Sequence, residues 1–161
     1  MKHRDRLIIH DAEVKEDGLD VQGELPASVL DISSDESDRQ YCPNPLAYQL
    51  HIQRVSHGLL AQGEVSTTVR CRCDRCLKYY DFELKSDDVC HFVEELHDNI
   101  ADFTDDIRED LIINLPSRNL CQEDCQGICP SCGQNLNVRQ CDCPEDDSGS
   151  DAWHQLDNLN L

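Results

Sequence analysis

The sequence is poor in aromatic residues, in positive charge and in long apolar stretches. Aromatics make up only 5% of its 161 residues, so apolar burial can support a modest core and part of the chain needs another source of stability. No stretch approaches the roughly 18 apolar residues of a membrane-spanning helix. Within residues 1–11, one short apolar run at 7–9 stands between charged residues, so we expect no secretory signal.

Positive charge is scarce, because 14 Lys and Arg stand against 33 Asp and Glu and give a net charge of -19. This balance argues against broad, nonspecific binding to phosphate backbones. Any contact with nucleic acid therefore has to be local. Basic proteins are easier partners for the rest of such a surface.

The motifs of common enzyme classes are also missing. The sequence contains no P-loop, no G-x-S-x-G and no G-x-G-x-x-G, and its seven histidines show neither H-x3-H nor H-E-x-x-H spacing. Its many carboxylates are explained by a solvated acidic surface without acid–base catalysis. We therefore expect a protein that is not an enzyme and has neither catalytic residues nor a small-molecule substrate.

Cysteine, in contrast, is abundant. The chain has 11 cysteines, an odd number, so disulfides alone cannot pair all of them. With neither a secretory signal nor a membrane span expected, the predicted compartment is the reducing cytoplasm. Clustered cysteines there bind metal more often than they form disulfides.

The first half of the chain predicts β-structure. Short strand candidates occupy 7–9 and 19–25, and apolar residues alternate with polar ones over 46–52. Further strands are expected near 79–84 and at 89–93. Short antiparallel strands joined by tight turns fit this spacing.

The clearest period-2 pattern runs from 59 to 69. Continuing its parity places Cys71 and Cys73 on the same strand face as the apolar residues. Arg70 and Arg72 then fall on the opposite face. This strand therefore carries two cysteines on one side and two positive charges on the other.

One helix is predicted over 104–115. Thr104 is the expected N-cap, Asp105 and Asp106 in the first turn complement the helix dipole, and Pro116 ends the element. Its apolar residues recur three and four positions apart and share one face: Ile107, Leu111, Ile112 and Leu115. We expect this face to cover the sheet.

Together these patterns predict an α+β fold: an antiparallel β-sheet or partial barrel, one covering helix, and a cysteine-rich, zinc-binding C-terminal segment. We expect a mainly antiparallel β domain over 1–116 and a zinc segment docked on the sheet over 117–143. An acidic linker and a short C-terminal helix are expected over 144–161.

The strongest candidate for a metal site consists of Cys129, Cys132, Cys141 and Cys143. Their C-x2-C-x8-C-x-C spacing places four thiolates in one compact loop that can surround one tetrahedral zinc ion. Gly133 follows the second cysteine and permits the positive φ that turns backbone N–H groups toward sulfur.

A second candidate site is divided along the chain. Cys73 and Cys76 lie at a strand end, while Cys121 and Cys125 follow the predicted helix. Joining the two pairs would attach the C-terminal segment to the sheet. Cys71 is the alternative to Cys73 as a ligand, because both lie on one strand face about 7 Å apart.

We expect one or two zinc ions with a structural role, because a four-thiolate site leaves no position open for water or substrate. A redox switch is the competing hypothesis, but neither C-x-x-C pair lies at the strand-to-helix junction of a βαβ unit. The isolated Cys42 and Cys90 are interpreted as buried or incidental thiols.

One group of charges runs against the acidic background. Arg70, Arg72, Arg75 and Lys78 lie within nine positions, interleaved with the first cysteine pair, and two tyrosines follow at 79–80. One interpretation is a small basic platform that contacts the phosphates or bases of a nucleic acid. The other is that these side chains neutralise nearby carboxylates and thiolates. The sequence leaves both open.

Three segments carry a family resemblance: VRCRCDRCL at 69–77, DIREDLIINLP at 106–116, and LCQEDCQGICPSCGQNLNVRQCDC at 120–143. In this order they resemble the YceD family of large ribosomal RNA subunit accumulation proteins. The first is similar to the family's strand-end cysteine motif, the second to its acidic helix ending in Leu-Pro, and the third to its C-terminal cysteine segment. The stretch 146–151 lacks the Asp-Pro-Arg element that usually follows in the family.

The resemblance implies a noncatalytic factor that supports the accumulation of large-subunit ribosomal RNA. The partners it implies are this RNA or its precursor, basic ribosomal proteins of the large subunit, or both. The alternative hypothesis is a zinc-stabilised adaptor or chaperone for a basic client, without direct contact to RNA.

Overall fold

The computed structural model describes residues 5–33 and 35–143. The elements of this part of the chain are β1 (Ile8–His10), β2 (Leu19–Leu25), β3 (Gln40–Tyr41), β4 (Leu46–Val55), β5 (Gly58–Arg72), β6 (Tyr79–Val93), β7 (Ile100–Asp102) and α1 (Thr104–Ile113), with 3-10 turns at Asp11–Glu13 and Ala27–Leu30. A helix long and apolar enough to cross a bilayer is not found among these residues. The linker and helix expected over 144–161 lie outside the described residues.

Five strands form one antiparallel sheet around β5. On one side β5 pairs with β4, which in turn pairs with β2, and on its other side β5 pairs with β6. The short strand β3 pairs with the C-terminal end of β5. It lies on the same side of β5 as β4, beyond Ser66, where the pairing of β5 with β4 ends. Strands β1 and β7 form a separate pair. The sheet curves into a half-barrel and α1 covers it, so the predicted fold class is confirmed.

The alternation along β5 determines what each face of the sheet can do. Val69 and Cys71 are fully buried against the core, while Arg70 and Arg72 lie on the outer face. The predicted parity of this strand is therefore confirmed. The remaining core comes from the inner faces of neighbouring strands, the second 3-10 turn and the helix: Leu30, Leu46, Leu50, Ile52, Leu84, Phe103, Ile107 and Leu111.

The strands expected near 79–84 and at 89–93 are one continuous strand, β6. Gly63 lies opposite Val89 whereas Val65 lies opposite Ser86, so β6 carries one extra residue at this point. Such a bulge interrupts the in–out alternation of side chains without ending the strand. Because the alternation breaks at the bulge, the period-2 pattern of the sequence predicts two strands where the structure has one.

The start of α1 also differs from the prediction. The helix begins at Thr104 after Phe103, and the Oδ1 atom of Asp102 accepts a hydrogen bond from the Thr104 backbone N–H at 3.0 Å. The Thr104 hydroxyl oxygen instead accepts the N–H of Leu7 at 2.8 Å. The predicted N-cap role of Thr104 is therefore wrong, because its side chain connects the helix start to the segment before β1.

Gly63 is required where β4, β5 and β6 meet. Its φ is +151°, and a Cβ atom there would lie 2.2 Å from the backbone oxygen of Gln49. We therefore expect Gly63→Ala to lower the free energy of unfolding by more than about 2 kcal/mol, since backbone strain and a clash with backbone add. Chemical denaturation measures this, with the neighbouring exposed Gln62→Ala as the control. Equal stability of the two variants would contradict the argument.

Candidate metal centres and their surroundings

The four cysteines of the divided set meet at one end of the sheet. The Sγ atoms of Cys73, Cys76, Cys121 and Cys125 all lie within 4.8 Å of one another. Cys73 and Cys125 are separated by 3.7 Å between sulfurs, and Cys76 and Cys121 by 3.6 Å. Three of the four are buried, and Cys121 is half-buried. We call this group the split cluster.

The second set also comes together. The Sγ atoms of Cys129, Cys132, Cys141 and Cys143 lie within 4.8 Å of one another. Only Cys129 is buried, whereas Cys132 is exposed and the last two are half-buried. We call this group the local cluster, because all of its cysteines come from 15 consecutive residues. The two clusters thus differ in what surrounds them.

The two C-x-x-C turns have the same backbone geometry. The N–H of Cys73 donates to the carbonyl of Lys78 and the N–H of Leu77 donates to the carbonyl of Cys73, at 2.9 and 3.0 Å. The N–H of Cys129 donates to Gln134, and that of Gly133 back to Cys129, at 2.8 and 2.9 Å.

The residue after the second cysteine has a positive φ in both turns. The φ of Gly133 is 72°, as its sequence position predicts, and that of Leu77 is 59°. A non-glycine residue rarely adopts this conformation, so the turn at Leu77 contains local strain that the surrounding contacts have to offset. The same hydrogen bonds form in both turns despite this difference.

In each cluster, the surroundings of one cysteine lower its pKa and so favour its thiolate form. Burial opposes ionisation of Cys73, but hydrogen bonds from backbone N–H groups outweigh it and lower its pKa to about 6. The pKa of Cys129 is also lowered to about 6, chiefly by hydrogen bonding from the Cys132 backbone. Burial raises the pKa of Cys121 to about 12. The pKa of Cys143 is also raised to about 12, chiefly by hydrogen bonding with the Cys132 side chain. Four thiolates this close require a compensating cation.

The spacing of the sulfurs fits a metal ion. Zinc–sulfur bonds of about 2.3 Å in a tetrahedron separate the sulfurs by about 3.8 Å, close to the 3.6 and 3.7 Å found in the split cluster. Either cluster could therefore hold a metal ion. When bound, such an ion supplies four metal–sulfur bonds, and in the split cluster these would cross-link the end of β5 to the segment after α1.

Protein contacts also hold the C-terminal segment against the sheet. Asp74 donates its N–H to the carbonyl of Asn119 at 2.7 Å and accepts the Asn119 N–H on its carboxylate at 2.8 Å. The Arg39 guanidinium donates to the same carboxylate at 2.8 Å, and this contact is the main cause of the lowered pKa of Asp74. The Oδ1 atom of the fully buried Asn119 accepts from Gln40 Nε2 at 2.8 Å. Nothing in the local sequence indicated these roles.

The other cysteines lie outside both clusters. Cys71, the predicted alternative to Cys73, is fully buried in the main core and is not part of the split cluster. It still lies within β5, whereas Cys73 lies beyond the strand end, where the chain has begun to turn. Cys42 is buried with its sulfur 3.5 Å from the hydroxyl of Thr67, and Cys90 is exposed.

The four predicted basic residues have different surroundings. Arg70 pairs with Asp81 at 3.1 Å, and Arg75 donates from Nη1 to the carbonyl of Cys125 at 2.9 Å. Arg72 and Lys78 are exposed, and neither has an ion pair within residues 5–33 and 35–143. Arg70 therefore neutralises a neighbouring acid, which is the second interpretation of these basic residues, while Arg75 helps to hold the C-terminal segment.

The aromatic residues beside this group come from two strands. Tyr79 lies opposite Arg72 on the outer face. Tyr80 points inward between the core and the split cluster, where burial raises its pKa to about 12. The second outer aromatic is Tyr41 of β3, which lies opposite Arg70 and packs edge-on against Tyr79 with ring centroids 6.5 Å apart. The sequence did not indicate Tyr41, because 38 residues separate it from Tyr79.

Comparison with known proteins shows which family part of the chain is similar to. Residues 91–160 match the family model of the large ribosomal RNA subunit accumulation protein YceD. The predicted resemblance to the YceD family is confirmed. The match includes α1 and the cysteines at 121–143, whereas the motif at 69–77 precedes it. No solved structure matches the chain significantly.

Among curated proteins, the chain is similar to the chloroplastic large ribosomal RNA subunit accumulation protein YCED homolog 1 of Arabidopsis thaliana. The two are 33% identical over 73 residues, which is 45% of this chain and 22% of that protein. Uncharacterized proteins of Mycobacterium leprae and Mycobacterium tuberculosis strain H37Rv are 26% and 27% identical, over 58% and 56% of this chain. The alignments cover 50% and 51% of those proteins, so the chain matches about half of these relatives or less.

The split cluster generates a prediction about metal content. We expect Cys76→Ser to lose one bound metal ion per chain and to expose residues 117–143 to protease, because one ligand and the link to the sheet are removed. Cys71→Ala is the matched control, since Cys71 is also buried, near the end of β5, but lies outside the cluster. Elemental analysis by mass spectrometry measures the metal. Metal loss in the control, or none in Cys76→Ser, would contradict this assignment.

The local cluster should behave as a separate unit. We expect Cys129→Ser to lose one metal ion and to allow proteolysis within 126–143, because little apolar burial supports that loop. The thermal transition of the sheet should shift only slightly. Ser131→Ala, within the same turn, should keep both the metal and the protease resistance. A Cys129→Ser chain with native resistance and no local metal would show that the loop folds by other means.

Proposed function

We propose that this protein is a noncatalytic factor for assembly of the large ribosomal subunit that supports accumulation of large-subunit ribosomal RNA. The match of residues 91–160 to the YceD family model carries this proposal. It is supported by the printed name of the Arabidopsis relative, which assigns that protein to large ribosomal RNA subunit accumulation. Since the alignment covers 22% of that relative, the role of the whole protein needs its own test.

The proposed cofactor is zinc, with one ion in the split cluster, one in the local cluster, or both. Sulfur-only ligand sets with tetrahedral spacing select zinc or iron, and C-x-x-C-G turns are typical of zinc ribbons. Four protein ligands leave no open coordination position, so the ions would be structural. The proposed location is the reducing cytoplasm, where clustered cysteines bind metal more often than they form disulfides.

The proposed contact with RNA is the outer face at the cysteine end of the sheet. Arg72 and Lys78 are exposed there without an ion pair in the described part of the chain, so their charges are available to phosphates. Arg70 and Arg75 belong to the same surface, although each already has a protein partner. The net charge of -19 favours a short contact, because a long track of phosphates would be repelled by the acidic surface.

The second candidate function is an adaptor or chaperone for a basic client, without contact to RNA. A shallow groove on the outer faces of β2, β4 and β5 favours it, because Asp20, Glu64 and Asp87 line that groove. Basic extensions of ribosomal proteins have the complementary charge. In the assembly proposal this same groove would face large-subunit ribosomal proteins. Copurification with such proteins that survives ribonuclease would favour the adaptor.

The assembly role predicts a selective defect. Depletion of the protein should lower the ratio of large to small ribosomal subunits in sucrose gradients, and wild-type protein supplied in trans should restore it. Arg72→Glu with Lys78→Glu should neither restore the ratio nor crosslink to RNA, while metal content stays normal, because both side chains lie outside the clusters. Lys15→Glu is the control, since Lys15 is exposed beside the start of β2, at the opposite end of the sheet from Arg72.

Each result of this experiment decides one part of the proposal. An unchanged subunit ratio after depletion would refute the assembly role. A lowered ratio that the Arg72 and Lys78 variant restores would refute the RNA contact and place the adaptor first. Loss of function in the Lys15 control as well would point to a general effect of charge instead of a local contact.

A further inference from the structure

The outer face at the cysteine end of the sheet carries an aromatic pair whose cysteine neighbours all lie on the inner side. Tyr41 and Tyr79 come from the strands on either side of β5 and lean toward each other above it, with ring centroids 6.5 Å apart and ring planes at 71°. Both rings are half-buried. The Tyr79 hydroxyl donates to the carbonyl of Ser37 at 3.1 Å, which fixes that ring in place. Part of each ring remains in contact with solvent.

The charges around the pair include a group of basic residues. Register places Arg70 beside Tyr41 and Arg72 beside Tyr79, and Lys78 directly precedes Tyr79. Asp81 pairs with Arg70, and Asp35, Glu36 and Asp38 lie next to Ser37 in the sequence. Arg72 and Lys78 have no ion pair in the described part of the chain, so positive charge open to a ligand lies next to two aromatic rings. Phosphates and nucleobases are the ligand groups that match these two properties together.

We propose that Tyr41, Tyr79, Arg72 and Lys78 form a binding site for unpaired RNA, in which one or two bases stack on the tyrosines and the flanking phosphates contact Arg72 and Lys78. This inference rests on the proposed function, because it specifies which form of RNA the assembly factor contacts. It adds Tyr41 and Tyr79 as determinants of specificity.

The aromatic pair decides between single-stranded and duplex RNA. Bases in an A-form helix stack on each other and present only their edges, so their faces are closed to a tyrosine ring. Unpaired bases can lie on aromatic side chains at the surface of a β-sheet, and such stacking tolerates any base. A duplex would use only the basic side chains, and the surrounding acidic surface would repel its denser phosphates. The site is therefore matched to a short unpaired stretch.

Rigidity of the site favours this use. The Arg72 N–H donates to the carbonyl of Arg39 at 2.8 Å, Arg39 holds Asp74, and Asp74 holds Asn119 of the C-terminal segment. The end of β5 and the approach to β3 are thus fixed to the segment that contains the split cluster. Preorganised rings lose little conformational freedom when a base stacks on them.

The experiment uses the full-length, metal-loaded chain and two fluorescein-labelled probes, a 12-nucleotide oligouridylate and a blunt RNA duplex of equal length. Fluorescence anisotropy over a series of salt concentrations gives the affinity and its salt dependence. We expect tighter binding of the single strand. Tyr41→Leu and Tyr79→Leu should each weaken it about 5-fold or more, with an unchanged salt slope.

Two kinds of matched variant separate stacking from charge. Arg72→Gln should weaken binding and reduce the salt slope by about 0.7, as expected for one lost phosphate contact on a single strand. Tyr41→Phe keeps the ring and should bind like the wild type. Tyr48→Leu on β4, remote from the basic residues, should also have no effect. Unchanged metal content in every variant shows that the fold is intact.

A measurement on the wild-type chain keeps the proposal testable if a variant does not fold. A single strand containing 4-thiouridine, irradiated on the protein, should form crosslinks at Tyr41 or Tyr79 that mass spectrometry identifies. Crosslinks confined to other residues would overturn the proposal. Equal affinity for the duplex, no binding of either probe, or Leu variants that bind like the wild type would also overturn it.

These outcomes are distinct from failure of the proposed function. A normal subunit ratio after depletion would refute the assembly role whatever the chain binds. A lowered ratio that a Tyr41→Leu, Tyr79→Leu double variant fully restores would leave the assembly role intact and remove base stacking from it.

Discussion

The contact between the end of β5 and the segment after α1 is the constraint on which the rest of this structure depends. Four sulfurs meet there at the spacing of a tetrahedral ion, two from each partner. Two hydrogen bonds between Asp74 and Asn119 connect the same two parts of the chain. Without this contact, a segment with almost no apolar residues would have nothing to hold it on the sheet.

The junction also determines which surface is available for binding. Asp74 is held by Arg39, and Arg39 in turn accepts the N–H of Arg72 on its carbonyl. The inner face of this strand end is occupied by Cys71 and the core. Positive side chains and two tyrosine rings are therefore left on the outer face, fixed in position by the same contacts that hold the C-terminal segment.

The two clusters illustrate different ways of making a thiolate site. Both use the same turn, with the same pair of backbone hydrogen bonds after the first cysteine. In the local cluster Gly133 supplies the positive φ at no steric cost, whereas Leu77 adopts it in the split cluster. Leu77 is itself exposed, and the hydrogen bonds of the turn at Cys73 hold its backbone in this conformation.

The sequence by itself determined the fold class and the parity of β5, and it predicted the four cysteines of the local cluster, because these depend on short-range periodicity and on the spacing of ligand types. Period-2 patterns could not show the bulge that makes β6 one strand, since the extra residue interrupts the alternation without ending the pairing. Only the tertiary structure decided between Cys71 and Cys73, and only it brought Tyr41 to Tyr79 and Asn119 to Asp74. These contacts join residues far apart in the chain, and strand register and the position where β5 ends determine which of them meet.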